Sequence, residues 1–462
     1  MPTRVFATGT VRYDPSRCWN GYTLIPSLPG QSKAKGAALY DMNGRLVHAW
    51  EGLFGAFDNK LLPGGHILGT TGYMPGYWLD CLDVQQRDWN NAPVWTYHSA
   101  TSITDLETGR QVPSARQHHD FQREGSPCGY YTPGQEPKLR GRMLINSTRT
   151  RDLPEFSPHP VADTCIMIID EEGKTLWEWS LFDHWDQLGT ETLAKAVHYH
   201  CAPQFPGAGY VKATYCNNVN WLGPNKWHDA GDARFHPENI ITDIRILNVS
   251  FIIDHATGDI VWRLGPDFEY SRELQKIGQV IGQHEVHMIA RGLPGEGNIL
   301  LFDNGGQAGL GRPSPASPTG YYNATRGYSR VLEINPVTLE KAWTFNDLEN
   351  FGGNVEALTI ANQLFSPYCS GADRLPNGNT LITEMVNGRV LEVTPEGDVA
   401  WEFVNPGGKV FRAHRYPYAW CPLLPAPEER PVVPVPSRRI RIGADGKPYL
   451  AEDDPFYGES WE

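Results

Sequence analysis

The sequence predicts an all-β protein, a six-bladed β-propeller with long insertions between its strands. Three features carry that prediction: abundant turn formers, a heavy aromatic load, and one composite unit that recurs from end to end. The chain has 462 residues with 47 Gly and 37 Pro, so turns are many and strands short. Its 15 Trp and 20 Tyr favour pleated surfaces and also line binding clefts. The length exceeds what one ordinary core organises, which leaves several domains or one closed repeat.

The unit is a β-rich run, a turn built on Asp, Asn, Pro or Gly, and a short strand ending at tryptophan. ALYDMNGRLVHAW ends at Trp50, CIMIIDEEGKTLW at Trp177 and SFIIDHATGDIVW at Trp262. RVLEINPVTLEKAW ends at Trp343, RVLEVTPEGDVAW at Trp401, and a degenerate copy, LDCLDVQQRDWNNAPVW, at Trp95. Each is a hairpin signature. A second turn-and-strand element precedes most copies: LPGGHIL at Leu62, LPGEGNILLF at Leu293, LPNGNTLITE at Leu375 and a weaker LGPNK at Leu222. Together the two elements give about four strands per unit, which is a blade. Two β-sandwiches, the alternative architecture, do not account for one unit repeating throughout.

A bare blade needs about 40–50 residues, and several tryptophans lie further apart than that. Insertions are therefore expected at 129–142, 183–213 and 305–326, gathered on one face to wall a pocket. Residues 1–424 read as a single propeller, with the N-terminal segment completing a blade. Residues 425–462 read as a Pro-rich extension lying as an extended strap. One short helix is expected around 270–280.

The formal charge of −13 argues against nucleic acid and anionic membranes as partners, because phosphate binding wants a basic face. No apolar h-region opens the chain and no long apolar run interrupts it, so the expectation is a cytoplasmic protein without a membrane span. The eight cysteines include no CxxC pair, which leaves reduced, mostly buried thiols.

Innermost strands line a propeller's channel, so site residues should stand at matched offsets upstream of the LPxGN-like turns. His284 and His287 do so in GQHEVHMIARGLPGEGN, and Cys369 in FSPYCSGADRLPNGN. Cys216 is flanked by Tyr215 and Asn217 in TYCNNVNWLGP, and RQHHDFQREG supplies His118, His119 and Asp120. Any one of these rings has the alternative of satisfying a buried backbone group. His48, His66, His98 and His255 fall in hairpin arms, where structural or solvated roles are expected.

Three long runs resemble the PAPS-independent arylsulfate sulfotransferases: IGQHEVHMIARGLPGEGNILLFDNGG, YSRVLEINPVTLEKAW and FSPYCSGADRLPNGNTLITEMVNGRVLEVTPEGDVAWEFVNP. HHDFQREG, WHDAGDARFHPENIITDIRILN and FRAHRYPYAW are similar to that family's cytosolic branch. The resemblance spans about 38–424. It implies a six-bladed propeller that moves a sulfuryl group between phenols by a ping-pong route. On this resemblance His284, in the GQH motif, attacks the ester and becomes a sulfohistidine. His119 moves the proton at the phenol oxygen, and Arg245, at the place of the arginine in the family's SSR motif, steadies the sulfuryl oxygens. Two positions depart from the family. Tyr215 stands where a His-x-Asn pair has its histidine, while Asn217 keeps the asparagine. The SSR motif becomes Asp243-Ile244-Arg245, and a carboxylate there opposes an anionic ester unless it is paired or protonated.

The leading expectation is thus an arylsulfotransferase-like enzyme for a small phenolic or aromatic substrate, requiring no cofactor. Catalysis is expected from His284, His119, Arg245 and Tyr215. Substrate contacts are expected from Asn217, His287, His118, Cys369, Arg330 and His414. Arg326 and Tyr328 stand beside Arg330, and Arg412 and Arg415 beside His414. For Arg330, pairing with a neighbouring acid is set ahead of that contact. Three other readings stay open. One is a hydrolase or lyase of an aromatic conjugate, with Tyr215 as acid or base helped by His119 or His287. Another is a divalent metal held among His118, His119, His198, His200, His284 and His287. The third is a non-catalytic binding propeller. Nothing in the residues reports oligomeric state.

Overall fold

The computed structural model describes residues 8–26, 36–54, 57–73, 80–104, 108–154, 158, 160–190, 211–212, 216–311, 313–361, 363–425, 427–434, 440–442 and 448–450. From the N-terminus come β1 (Gly9–Tyr13), β2 (Tyr22–Pro26), β3 (Gly36–Tyr40), β4 (Leu46–Glu51), β5 (Lys60–Leu62), β6 (His66–Tyr73), β7 (Cys81–Arg87) and β8 (Pro93–His98). A hairpin of β9 (Ala100–Thr104) and β10 (Gln111–Ala115) leads to β11 (Gln117–Arg123), β12 (Met143–Arg151), β13 (Val161–Ile169) and β14 (Thr175–Ser180). The two-residue β15 (Val211–Lys212) precedes β16 (Val219–Trp221), β17 (Ile240–Ile244), β18 (Val249–Ile253) and β19 (Ile260–Leu264). Then follow β20 (His284–Met288), β21 (Ile299–Asp303), the hairpin β22 (Ala308–Leu310) and β23 (Tyr321–Ala324), β24 (Arg330–Ile334) and β25 (Lys341–Phe345). β26 (Gly371–Arg374), β27 (Thr380–Glu384), β28 (Arg389–Val393), β29 (Val399–Val404) and β30 (His414–Tyr416) complete the main sheets.

The chain is all-β in its sheets and adopts a β-propeller arrangement of antiparallel meanders. Separate sheets run β16-β17-β18-β19, β20-β21-β24-β25 and β1-β29-β28-β27-β26. A longer one runs β14-β13-β12-β11-β7-β6-β5, with β8 on β7. In the sheet β30-β2-β3-β4 the late strand β30 pairs with β2, and β1 pairs with β29 in the sheet of the C-terminal units. The two ends of the chain are thereby locked into each other's sheets. The middle strands β18, β21 and β24 are buried along their whole length, as sheets covered on both faces require. The outer strand β8 is largely exposed.

Tryptophans staple successive meanders together. Indole N–H groups donate from Trp50 to Asp88 O (2.9 Å), Trp95 to Glu171 O (2.8 Å) and Trp179 to Gly258 O (2.8 Å). The series continues from Trp262 to Pro336 O (2.8 Å), Trp343 to Pro395 O (2.9 Å) and Trp401 to Met42 O (2.8 Å), returning to the sheet where it began. The acceptors lie in the turns β7–β8, β13–β14, β18–β19, β24–β25, β28–β29 and β3–β4. In the CIMIIDEEGKTLW copy the sequence singled out Trp177, but Trp179 makes the bond, and Trp177 stacks on His255 instead. A strand repeats its face every second residue, so both rings point toward the neighbour and the further one reaches it. At three of these bonds an arginine from an inner strand lies over the indole: Arg123 on Trp95, Arg374 on Trp343 and Arg415 on Trp401. Arg374 also pairs with Glu333 (2.6 Å) and Arg415 with Glu392 (2.8 Å).

In an antiparallel meander the first-to-second and third-to-fourth turns share one end, and the remaining connections share the other. The expected insertions therefore divide. Residues 305–326 connect β21 to β24 at the end where β20 begins, whereas 129–142 connect β11 to β12 at the opposite end. There Tyr131 stacks on Trp19 and meets Trp420 edge-on, tying an early and a late segment of the chain together. The stretch 183–213 lies largely outside the described residues. The short helix falls at Arg272–Ile277, where Ser271 accepts from Leu274 N–H as its N-cap. In the described part of the C-terminal segment, Val432 bridges to Tyr13, and Glu429 accepts from Asn20 and Tyr418.

Candidate active site

His284 opens β20 after the sharp turn at Gly282, whose φ is +64°. A side chain there would press within 2.9 Å of Ala308 Cβ, so only glycine lets the strand start at this point. The imidazole is buried and its tautomer is fixed from outside. Asn304 donates through Nδ2 to Ser366 O (2.7 Å) and Cys369 O (2.8 Å). That orientation turns Asn304 Oδ1 toward His284, which donates to it from Nδ1 at 2.8 Å. The proton therefore resides on Nδ1 and the lone pair on Nε2. Nε2 accepts a long bond (3.2 Å) from the Cys369 N–H, and Cys369 and Ser370 hold left-handed φ values of +55° and +79°. Burial first, then the charges of Arg245 and Arg412, push His284 down to about 3. The ring is neutral at ordinary pH.

Arg245 follows β17 and stands against the turn of His284: a Cβ on Gly282 would lie 3.5 Å from its Nε. Its Nη2 donates to Gln307 O (2.7 Å) and Pro367 O (3.2 Å), and its guanidinium lies over the Tyr322 ring. Its Nε is buried with no hydrogen-bond partner. Gln307 and Tyr322 belong to the 305–326 insertion, so that segment does flank Arg245.

β11 breaks register between Gln117 and Phe121, with His119 at φ +59°. His118 Nε2 lies 3.1 Å from Ser147 O, and its Nδ1 lies 3.0 Å from His119 Nδ1. His118 thus donates to the carbonyl and accepts from His119. The His119 ring packs on Phe57, which packs on Phe411, the neighbour of Arg412. Asn217, fully buried, donates from Nδ2 to Asp243 Oδ2 (3.0 Å). Tyr215, His198 and His200 lie outside the described residues.

The remaining expected residues are placed differently. His287 donates from Nδ1 to Glu285 O and accepts at Nε2 from the Tyr130 hydroxyl (2.9 Å). Only Nε2 reaches toward the end opposite His284; Nδ1 turns back to the carbonyl two residues before it. Burial pushes it down to about 4. Cys369 takes part through its backbone, and burial raises its thiol to about 11. Arg330 bonds Asp303 (2.8 Å) and Asp347 (2.9 Å), which is the pairing the sequence favoured. With Arg326 and Tyr328 it lines a surface hollow of about 690 Å³.

His414 lies between Asp373 at Nδ1 and Asp58 at Nε2, both at 2.8 Å. Burial opposes its charge, but the two carboxylates hold its proton affinity well above the ordinary range. It belongs to a buried charge cluster where inner strands converge. Lys60 pairs with Asp120 (2.5 Å) and Asp58 (3.4 Å), and Arg412 stands 3.6 Å from Asp58, 3.8 Å from Asp120 and 3.9 Å from Glu285. Gly371 leaves the space that the Glu285 carboxyl fills.

Among the described residues, the group whose ligand atoms could share an ion is Asp58, Glu285 and His414, within 4.8 Å of one another. His118, His119, His284 and His287 do not gather in that way. Lys60 and Arg412 already place positive charge around Asp58, and both nitrogens of His414 are bonded. The cluster fits an imidazolium between carboxylates better than a metal. Asn304, Asp58, Lys60, Glu285 and Asp373 were not singled out from sequence. Asn304 had a signal, since it directly follows β21 in FDNGG.

The propeller holds a neutral histidine of fixed tautomer beside an arginine, and the family its sequence matches makes it a transferase-like enzyme. The sequence profile of the arylsulfotransferase (ASST) family matches residues 139–400, more than half the chain, and the chain belongs to that family. No curated protein sequence matches it. Similar solved structures include a protein of unknown function from Bacteroides caccae, with 10% identity over 86% of this chain and 98% of that one (TM-score 0.43). The Cps50 (Swd1) β-propeller domain of Myceliophteria thermophila shares 8% identity over 87% of each chain (TM-score 0.36). Virginiamycin B lyase of Staphylococcus aureus shares 10% over 82% of this chain and 88% of that one (TM-score 0.34).

Proposed function

We propose that the protein transfers a sulfuryl group from an aryl sulfate to a phenol through a covalent intermediate on His284. The observation that carries this is the pairing of His284 Nδ1 with Asn304, which leaves Nε2 as the basic nitrogen of a neutral, buried imidazole. In the first half-reaction Nε2 attacks sulfur, the bond from sulfur to the aryl oxygen breaks, and the phenolate leaves with the electron pair. His119, entering as the imidazolium with Nδ1–H held by His118, gives its Nε2 proton to that oxygen and is left neutral. In the second half, His119 takes the proton from the acceptor phenol, whose oxygen attacks sulfur and releases His284 neutral. The unpartnered Nε of Arg245 and the Cys369 N–H are donors for the sulfuryl oxygens as charge develops. The steps as written use no cofactor. Phe57, Phe411 and Tyr322 offer aromatic surface for the phenol rings.

We read the architecture as six blades, with the long sheet divided between β7 and β11, where a single residue pair joins its two halves. The returning series of indole bonds supports that count. Seven cysteines among the described residues are free thiols, and no helix among those residues is long and apolar enough to cross a membrane. The thiols favour a cytoplasmic site of action.

The test is release of nitrophenol from a nitrophenyl sulfate with phenol as acceptor. The wild type is expected to turn over only with acceptor present, and His284→Ala to be inactive. Sustained release without acceptor indicates a hydrolase instead, and no release from the wild type rejects the proposal.

A further inference from the structure

Asp243 is the point at which this chain leaves the SSR pattern, and its surroundings are unusual for a carboxylate. It is fully buried near the end of β17. Its Oδ2 accepts from Asn217 Nδ2 and its carbonyl from the Asn217 N–H (3.3 Å). Asp243 Oδ1 has no hydrogen-bond partner, and neither does Asn217 Oδ1. Two acceptor oxygens of one buried pair are thus left without a donor, an arrangement that folded proteins avoid. A proton on Asp243 Oδ1 resolves it. The acid then has an O–H to give, and the open acceptor belongs to the amide that already bonds its other oxygen.

The groups facing Asp243 come from several elements. Asp120 on β11 opposes its ionisation, while Arg412 ahead of β30 and Arg245 beyond β17 favour it. Cys216 ahead of β16 lies near both Asp243 and Asp163 of β13. Ser250 sits opposite on β18 with its hydroxyl unpartnered. Burial is the largest influence, and the balance raises Asp243 to about 7.

We propose that Asp243 sets the charge of the substrate this site accepts: it works as a neutral carboxylic acid paired with the Asn217 amide, and an anionic sulfate ester binds beside Arg245 and His284 only while that proton is held. The inference takes its substrate from the sulfuryl-transfer reading. Once ionised, Asp243 adds a negative charge next to the anion's site and draws on the same two guanidinium groups. The family's serine carries no such dependence, so the substitution makes binding of the ester sensitive to pH.

The experiment uses inorganic sulfate as probe and needs no turnover. Sulfate binding is measured by calorimetry across a pH series on the full chain, with Asp243→Asn and Asp243→Ser alongside. Infrared difference spectra between the acid and alkaline ends report the protonated carboxyl. The wild type is expected to lose affinity toward tenfold per pH unit above about 7. Both variants should hold their acid-side affinity throughout. The carboxylic C=O component that the wild type has and Asp243→Asn lacks should be lost on the alkaline side. It is read apart from the signal of Glu285, which burial also raises and both proteins share. Level affinity in the wild type overturns the proposal. So does an alkaline loss that persists in both folded variants, or a carboxyl already ionised on the acid side. Failure of aryl sulfate turnover, by contrast, overturns the proposed function and leaves these readouts to judge Asp243.

Discussion

Asn304 Oδ1 accepts from His284 Nδ1 at 2.8 Å, and the amide that presents it is anchored by two carbonyls, of Ser366 and Cys369. With the Gly282 carbonyl 3.0 Å from the same nitrogen, that amide keeps the proton on Nδ1 and leaves Nε2 as the basic nitrogen. Asn304→Ala removes the shorter of the two Nδ1 contacts and leaves the Gly282 carbonyl to hold the ring alone. The expected result is a fall in kcat of about 10–100-fold, the usual cost of losing a group that orients a reactive histidine, with KM little changed. Asn304→Asp should restore most of the rate. Steady-state kinetics and imidazole ¹⁵N shifts check both.

His284, lowered to about 3 by burial and then Arg245, is expected to stay neutral through the whole functional range. A lowered histidine binds its proton later in the folded than in the unfolded chain. Its share of stability is therefore intact above the ordinary value near 6.5 and is lost as pH falls toward 3. A histidine titration by NMR should show His284 without a protonation step between about pH 5 and 8. Any acid limb of activity in that range belongs to another group.

His414 behaves in the opposite sense. Asp373 and Asp58 raise it well above the usual range, so its contribution is complete below the unfolded value and is lost as pH rises through the folded one. Urea unfolding at a series of pH values should show stability declining on the alkaline side. His414→Gln is expected to be less stable near neutrality and to lack that part of the slope.

The indole staples differ in burial, and their removal should scale with it. Trp401 is 0% exposed, so Trp401→Phe forfeits a buried bond to Met42 and packed volume together, about 2–4 kcal/mol. Trp343, half-buried with its bond to Pro395 near solvent, should cost about 1 kcal/mol on the same change. Chemical denaturation of the two variants tests the ranking.

The meander of hairpins was legible because each copy repeats its turn and its aromatic stop, and the position of His284 because it starts an inner strand ahead of a glycine turn. Sequence offsets did not reveal which end of that strand a side chain serves. His287 matched the spacing as well as His284 did, yet it bonds Tyr130 from an insertion at the other end. Trp177 and Trp179 share a strand face, so pattern alone could not choose between them. The cluster of Asp58, Lys60 and Asp373 was hidden for a different reason. Those residues lie far apart in the chain, and only the docking of inner strands gives a buried lysine its acids. Arg330 pairs with acids, the reading the sequence set ahead of a ligand contact, although an arginine after a glycine-rich loop looks the same whether it faces a ligand or an aspartate.

The central claim is that sulfur is held covalently by His284 between the two half-reactions. The most direct measurement is mass spectrometry of protein incubated with a nitrophenyl sulfate in the absence of acceptor and quenched in alkali. The account predicts a burst of nitrophenol matching the protein present, a sulfuryl adduct on the peptide containing His284, and its disappearance when phenol is added. A burst with no adduct on that peptide, or an equal burst from His284→Ala, would contradict it.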